Sequence, residues 1–110
     1  MGGEALGDFQ VIYKILRLLQ KNRGREDFDY AQISAQAMKL DFADWEQLMI
    51  EMQEDGLIRG LVYVQTLSDK FPHITEPIRP AITLKGLEYL AENSAMNKAK
   101  EMLRMIGEII

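Results

Sequence analysis

The hydrophobic period of the chain changes at Gly56, and that junction restricts the available folds more than any other feature. Before it, DFADWEQLMIEMQEDG (residues 41–56) places Phe42, Trp45, Leu48, Met49 and Met52 on one stripe at helical spacing. Asp41 stands at the N-cap position, with Asp44 three residues later in the manner of a capping box, and Gly56 is a C-terminal stop. After it, LIRGLVYVQT is rich in β-branched and aromatic residues and predicts a strand that begins directly at the helix end.

The flanking segments complete a pattern around this junction. In DFQVIYKILRLLQKNRG, Phe9, Ile12, Leu16 and Leu19 recur at helical spacing, with Asp8 as the expected N-cap and Gly24 as the expected stop. Lys21, Arg23 and Arg25 cluster near that end, where positive charge suits the helix dipole or contacts phosphate. YAQISAQAMKL predicts a second, short helix with Tyr30, Ile33, Ala37 and Met38 inward, and its close link to the third helix makes a helix-turn-helix pair. LSDKFPHITEPIRP carries Pro72, Pro77 and Pro80 and is expected to be irregular. AIT then predicts a returning strand, with Thr83 capping the helix LKGLEYLAEN. The expected fold class is mainly α with a small antiparallel β-hairpin: a winged helix with an extra C-terminal helix. The expected limits are a flexible N-terminus over 1–7, the winged-helix domain over 8–93 and the C-terminal helix over 94–110, packed on the domain or on a dimer partner.

The element order and two phrases carry a family resemblance. MQEDGLIRGL looks like a third helix entering a first wing strand, and ITLKGLEYLAENSAMNKAKEML is similar to the threonine-capped and C-terminal helices of the YjcQ family. The family consists of small proteins of Gram-positive bacteria and their prophages. The resemblance runs from about Phe9 to Leu103, with Ile82-Thr83-Leu84-Lys85-Gly86 its most specific part. It implies a winged-helix-like fold and a prophage connection, and it brings no activity or catalytic residues. This chain departs from short members of the family by its longer, proline-rich wing.

Composition removes several kinds of chemistry. With no cysteine among 110 residues, disulfides, thiolate metal sites and a cysteine nucleophile are excluded. MGGEALGDFQ lacks the basic and apolar regions of a signal peptide, and no apolar run approaches the roughly 20 residues of a bilayer span. The expectation is a cytoplasmic protein with no membrane partner. Ser68, Asp69 and the sole histidine, His73, supply triad residue types, but all within one loop, whereas triads draw their members from separate elements. Neither metal-ligand spacing nor a phosphate loop is present, so no enzyme, metal or cofactor is expected.

Charge decides between the remaining roles. Residues 41–56 hold six acids and no base, more than the whole formal net charge of −4. In a helix-turn-helix protein this third helix would enter the major groove, where acids oppose phosphate. Its expected outward face, Glu46, Gln47, Ile50, Glu51 and Glu54 beside Ala43, instead suits a basic protein partner with Ile50 as the apolar contact. The sequence therefore favours a non-enzymatic accessory or prophage-derived protein working through protein contacts. The alternative is a DNA-binding transcriptional regulator that uses the wing, through Arg59, Lys70, His73 and Arg79, or a dimer surface. A second apolar stripe, Met96, Ala99, Met102, Leu103, Ile106 and Ile110, is expected to pack on the domain or to pair two copies as a homodimer.

Overall fold

The computed structural model describes residues 7–94. The C-terminal stripe from Met96 to Ile110 lies outside that range. Helix α1 spans Asp8–Lys21 and buries Val11, Ile15, Leu16 and Leu19. Its N-cap is Gly7, not Asp8: the Gly7 amide donates to Gln10 Oε1 at 3.1 Å, and Asp8 lies in the first turn, where its charge meets the positive end of the helix dipole. At the other end the Asn22 side-chain amide donates to the Leu18 carbonyl, and Gly24 turns the chain with φ of 75°.

The expected second helix is two pieces, a 3-10 turn at Tyr30–Ile33 and helix α2 at Ala35–Met38. Ser34 divides them. Its hydroxyl donates back to the Ala31 carbonyl and accepts from the Ala37 amide, so it closes one turn and caps the next. Ile33 and Met38 are buried as expected, but Ala37 is exposed and Ala35 packs on the core in its place. A left-handed Lys39 (φ 59°) then leads into helix α3, Phe42–Glu54.

The wing begins where the period changes. Gly56 ends α3 with φ of 84°, and β1 (Ile58–Arg59) follows at once. The expected single strand over 57–66 is broken at Gly60 (φ 99°), beyond which β2 runs Val62–Val64. The proline-rich segment, expected to be irregular, contains β3, His73–Thr75, because Pro72 and Pro77 flank the triplet without entering it. Strand β4 is Ala81–Ile82. Strands β1 and β4 pair antiparallel at the base of the wing; β2 and β3 pair antiparallel toward its tip, with Val62 opposite Thr75 and Val64 opposite His73. Gln53 of α3 bridges the break between the ladders: its side-chain oxygen accepts from the Leu61 amide at 2.8 Å, and its NH₂ donates to the Leu61 carbonyl at 2.9 Å. A primary amide thus does for Leu61 what a neighbouring strand would do.

Residues 84–94 form helix α4. Thr83 caps it as the sequence predicts: its hydroxyl accepts from the Gly86 amide at 2.9 Å and donates to the Gly56 carbonyl at the end of α3. Gly86 is required by the close approach, since a Cβ there would meet the Leu57 carbonyl oxygen and lie 2.6 Å from Ile82 Cγ1. The chain has winged-helix architecture, its core formed by α1, α2, α3, the wing base and Leu90 of α4. Among the described residues, no helix is long and apolar enough to cross a membrane.

Candidate functional site

Helix α3 is buried on two sides, and this overturns its expected outward face. Trp45, Leu48, Met49 and Met52 face the core as predicted, with Trp45 Nε1 donating to the Ile33 carbonyl at 2.9 Å. Strand β3 packs along the neighbouring side. Glu46 is therefore only 3% exposed and Ile50 2%, whereas both were expected at a partner surface. At about 100° per residue, the buried positions from Leu48 round to Ile50 sweep roughly 200° of the helix. What remains outward is Ala43, Asp44, Gln47, Glu51, Glu54 and Asp55, with Gln47 half-buried because its amide donates to the Pro72 carbonyl. Phe42, expected inward, is 56% exposed at the helix start, with its ring lying against Trp45. The outward face is still acidic, but its apolar centre is gone.

Glu46 ties the wing to the helix. Its Oε2 accepts from the Ile74 amide at 2.9 Å, and its Oε1 lies 2.9 Å from His73 Nδ1. That hydrogen bond holds the His73 pKa above its ordinary value, with the nearby charges of Glu46 and Asp69 acting in the same direction against a partial desolvation. His73 Nε2 stands 3.8 Å from Asp69 Oδ1, an ion-pair distance outside hydrogen-bond range. The Thr66 amide and then its hydroxyl hold the Asp69 carboxyl below the usual range. Ser68 Oγ partners Thr66 Oγ1. The three triad residue types do not form a relay, since the imidazole spends Nδ1 on Glu46 and Ser68 is turned to the loop. His73 thus tethers the wing to α3 through Nδ1, while its side chain stays 56% exposed. No sequence period marks Glu46 as its partner, and nothing within the proline-rich segment points to a helix 27 residues earlier.

The other wing candidates lie apart. Lys70 is exposed in the tip loop, between the exposed apolar residues Leu67 and Phe71. Val62 and Val64 are exposed on the outer face of β2. Arg59 is exposed at the wing base opposite Ala81. Arg79 lies beside the same base and lines a cleft of about 610 Å³ together with Arg23 and Arg25 from the turn after α1. Asn22, Glu26, Phe28, Tyr30 and Ala81 complete most of its wall. Among the described residues the ion pairs within 4.0 Å are those of His73, so no described carboxylate lies within that distance of these arginines. Each half of this cluster was visible in the sequence, but their meeting was not.

The comparisons with known proteins agree with the fold. A double mutant of Lactococcus lactis ZitR in its apo form is similar over 94% of this chain and 69% of its own, with 18% identity and a TM-score of 0.54. A single-site mutant of the same protein covers 100% of this chain and 69% of its own, at 18% identity and a TM-score of 0.52. At that identity the likeness speaks to the winged-helix fold. No curated protein sequence matches. The family model described as YjcQ protein matches residues 13–109, the span that includes the wing, the Thr83 cap and the arginine cleft, and the chain belongs to the YjcQ family.

Proposed function

We propose that this chain is a winged-helix regulator that contacts nucleic-acid backbone through arginines at the base of its wing, with α3 held off the duplex. The observation that carries the reading is the gathering of Arg79 with Arg23 and Arg25, and of Arg59 on the adjoining strand, without carboxylate partners among the described residues. Guanidinium groups suit phosphate because they present a planar fork of donors. The likeness in fold to the ZitR structures supports the reading, and so does the loss of Ile50 from the surface that would have favoured a protein partner. The acids of α3 act against major-groove entry, so recognition is of backbone and shape more than of base edges. Pairing of two copies through the stripe from Met96 to Ile110 belongs to the same reading, and light scattering that finds a single-chain mass at high concentration removes it.

A mobility assay with random-sequence duplex at low salt tests the main claim. Binding should weaken in Arg59→Glu and Arg79→Glu, and each lost phosphate contact should reduce the log-log salt slope by about 0.9. Glu51→Gln with Glu54→Gln should strengthen it. Absence of retardation refutes the proposal. A basic protein partner is then the better reading. It is favoured by the four exposed apolar side chains of the wing, Val62, Val64, Leu67 and Phe71, and by the acids Asp44, Glu51 and Glu54 on α3.

A further inference from the structure

We infer that the cleft between the end of α1 and β4 is a receptor site for a nucleotide-class ligand, a small phosphorylated molecule carrying a planar ring. Its volume, about 610 Å³, falls within the roughly 300–1,000 Å³ of small-molecule sites. The lining divides into two kinds of wall. Arg23, Arg25 and Arg79 supply the cations for a di- or triphosphate. Tyr30 supplies a ring, fixed by buried Phe28 at a centroid distance of 4.9 Å and an interplanar angle of 72°. Glu26, the one acid of the lining, suits a ribose hydroxyl or a base amino group.

The cations are held on fixed backbone. Arg23 and Arg25 sit in a turn closed by their own amides, which donate to the Gln20 and Asn22 carbonyls. Arg79 precedes buried Pro80, and its carbonyl lies against Gly60, where a Cβ would stand 3.3 Å from that oxygen. Two segments far apart in sequence thus present their guanidinium stems to one hollow from ordered backbone, leaving the side-chain rotamers to be fixed by the ligand. The binding itself follows from the cleft. Its consequence, release of nucleic acid by competition for the same arginines, rests on the function proposed above.

Calorimetric titration of the full chain with ADP, with inorganic pyrophosphate and with adenosine tests the site. ADP should saturate, and should bind roughly tenfold or more tightly than either fragment, as two engaged walls require. Arg79→Gln should weaken ADP and pyrophosphate roughly tenfold, the size of one lost charge-assisted hydrogen bond. Tyr30→Leu should weaken ADP and leave pyrophosphate unchanged, and the emission of Trp45 should confirm that both variants fold. No saturable ADP binding in the millimolar range, or binding indifferent to Arg79→Gln, overturns the site. Equal affinity for ADP and pyrophosphate overturns the nucleotide class. Duplex binding, measured in parallel, separates the two proposals: ADP bound without duplex leaves the receptor and refutes the regulator, and duplex bound without ADP does the reverse.

Discussion

Replacing Glu46 by alanine removes the acceptor that holds β3 against α3. The Ile74 amide donates to Glu46 Oε2 at 2.9 Å and belongs to a residue that is 9% exposed, so water replaces that oxygen poorly. An unsatisfied buried amide costs about 1–3 kcal/mol. Loss of one buried methylene adds about 0.8 kcal/mol. Part of this is offset because a carboxylate no longer has to be stripped of water. The expected net loss is about 2–3 kcal/mol, equivalent to a fall in Tm of roughly 10 °C or more for a domain of this size. Urea unfolding followed by Trp45 emission reads it directly, since Trp45 is the sole tryptophan and is buried with its indole nitrogen bonded to Ile33. Glu46→Gln keeps an acceptor for Ile74 and the side-chain volume, and should lose only about 1 kcal/mol or less. Glu51→Ala, on the exposed face of the same helix, should stay within about 0.5 kcal/mol of the parent. If Glu46→Ala unfolds no more easily than Glu51→Ala, the carboxylate is not a tether and the account of wing placement fails.

The same contact predicts a pH dependence. Folding raises the His73 pKa above the ordinary imidazole value of 6.5, so this contribution is fully present below 6.5 and is lost as pH rises through the raised folded value. Asp69, with a lowered pKa, keeps its charge throughout that window and loses its contribution only in acid, below the ordinary carboxyl value of 3.8. An NMR titration of the single imidazole should find its pKa above 6.5 and nearer the ordinary value in Glu46→Gln; no difference between the two proteins counts against the assignment. Gly86→Ala should destabilise by about 1–3 kcal/mol or more, because the backbone carbonyl of Leu57 blocks the new methyl and α4 must move off the wing base. A neutral result in chemical denaturation would mean that α4 does not pack so closely. Gln53→Leu keeps shape but strips Leu61 of both partners, at a cost of roughly 2 kcal/mol. Hydrogen exchange should show the Leu61 amide opening faster, and unchanged protection there would contradict the bridging role.

What the sequence determined by itself was local. The inward stripe of Trp45, Leu48, Met49 and Met52, the stop at Gly56, the Thr83 cap and the acidic excess of residues 41–56 follow from period, capping chemistry and charge within a few residues of one another. The tertiary structure decided everything that depends on what lies across a gap. A single amphipathic stripe implies one buried side, yet α3 has two, since the wing folds back along it and takes in Glu46 and Ile50. The helix period alone holds no information about a strand lying 28 residues away from Glu46 in the chain. Flanking prolines concealed β3, because a three-residue strand needs a partner ladder more than a propensity of its own. Arg79 joined Arg23 and Arg25 for a similar reason: charges repel or attract according to distance in space, and that distance is set by the pairing of β1 with β4, not by position along the chain.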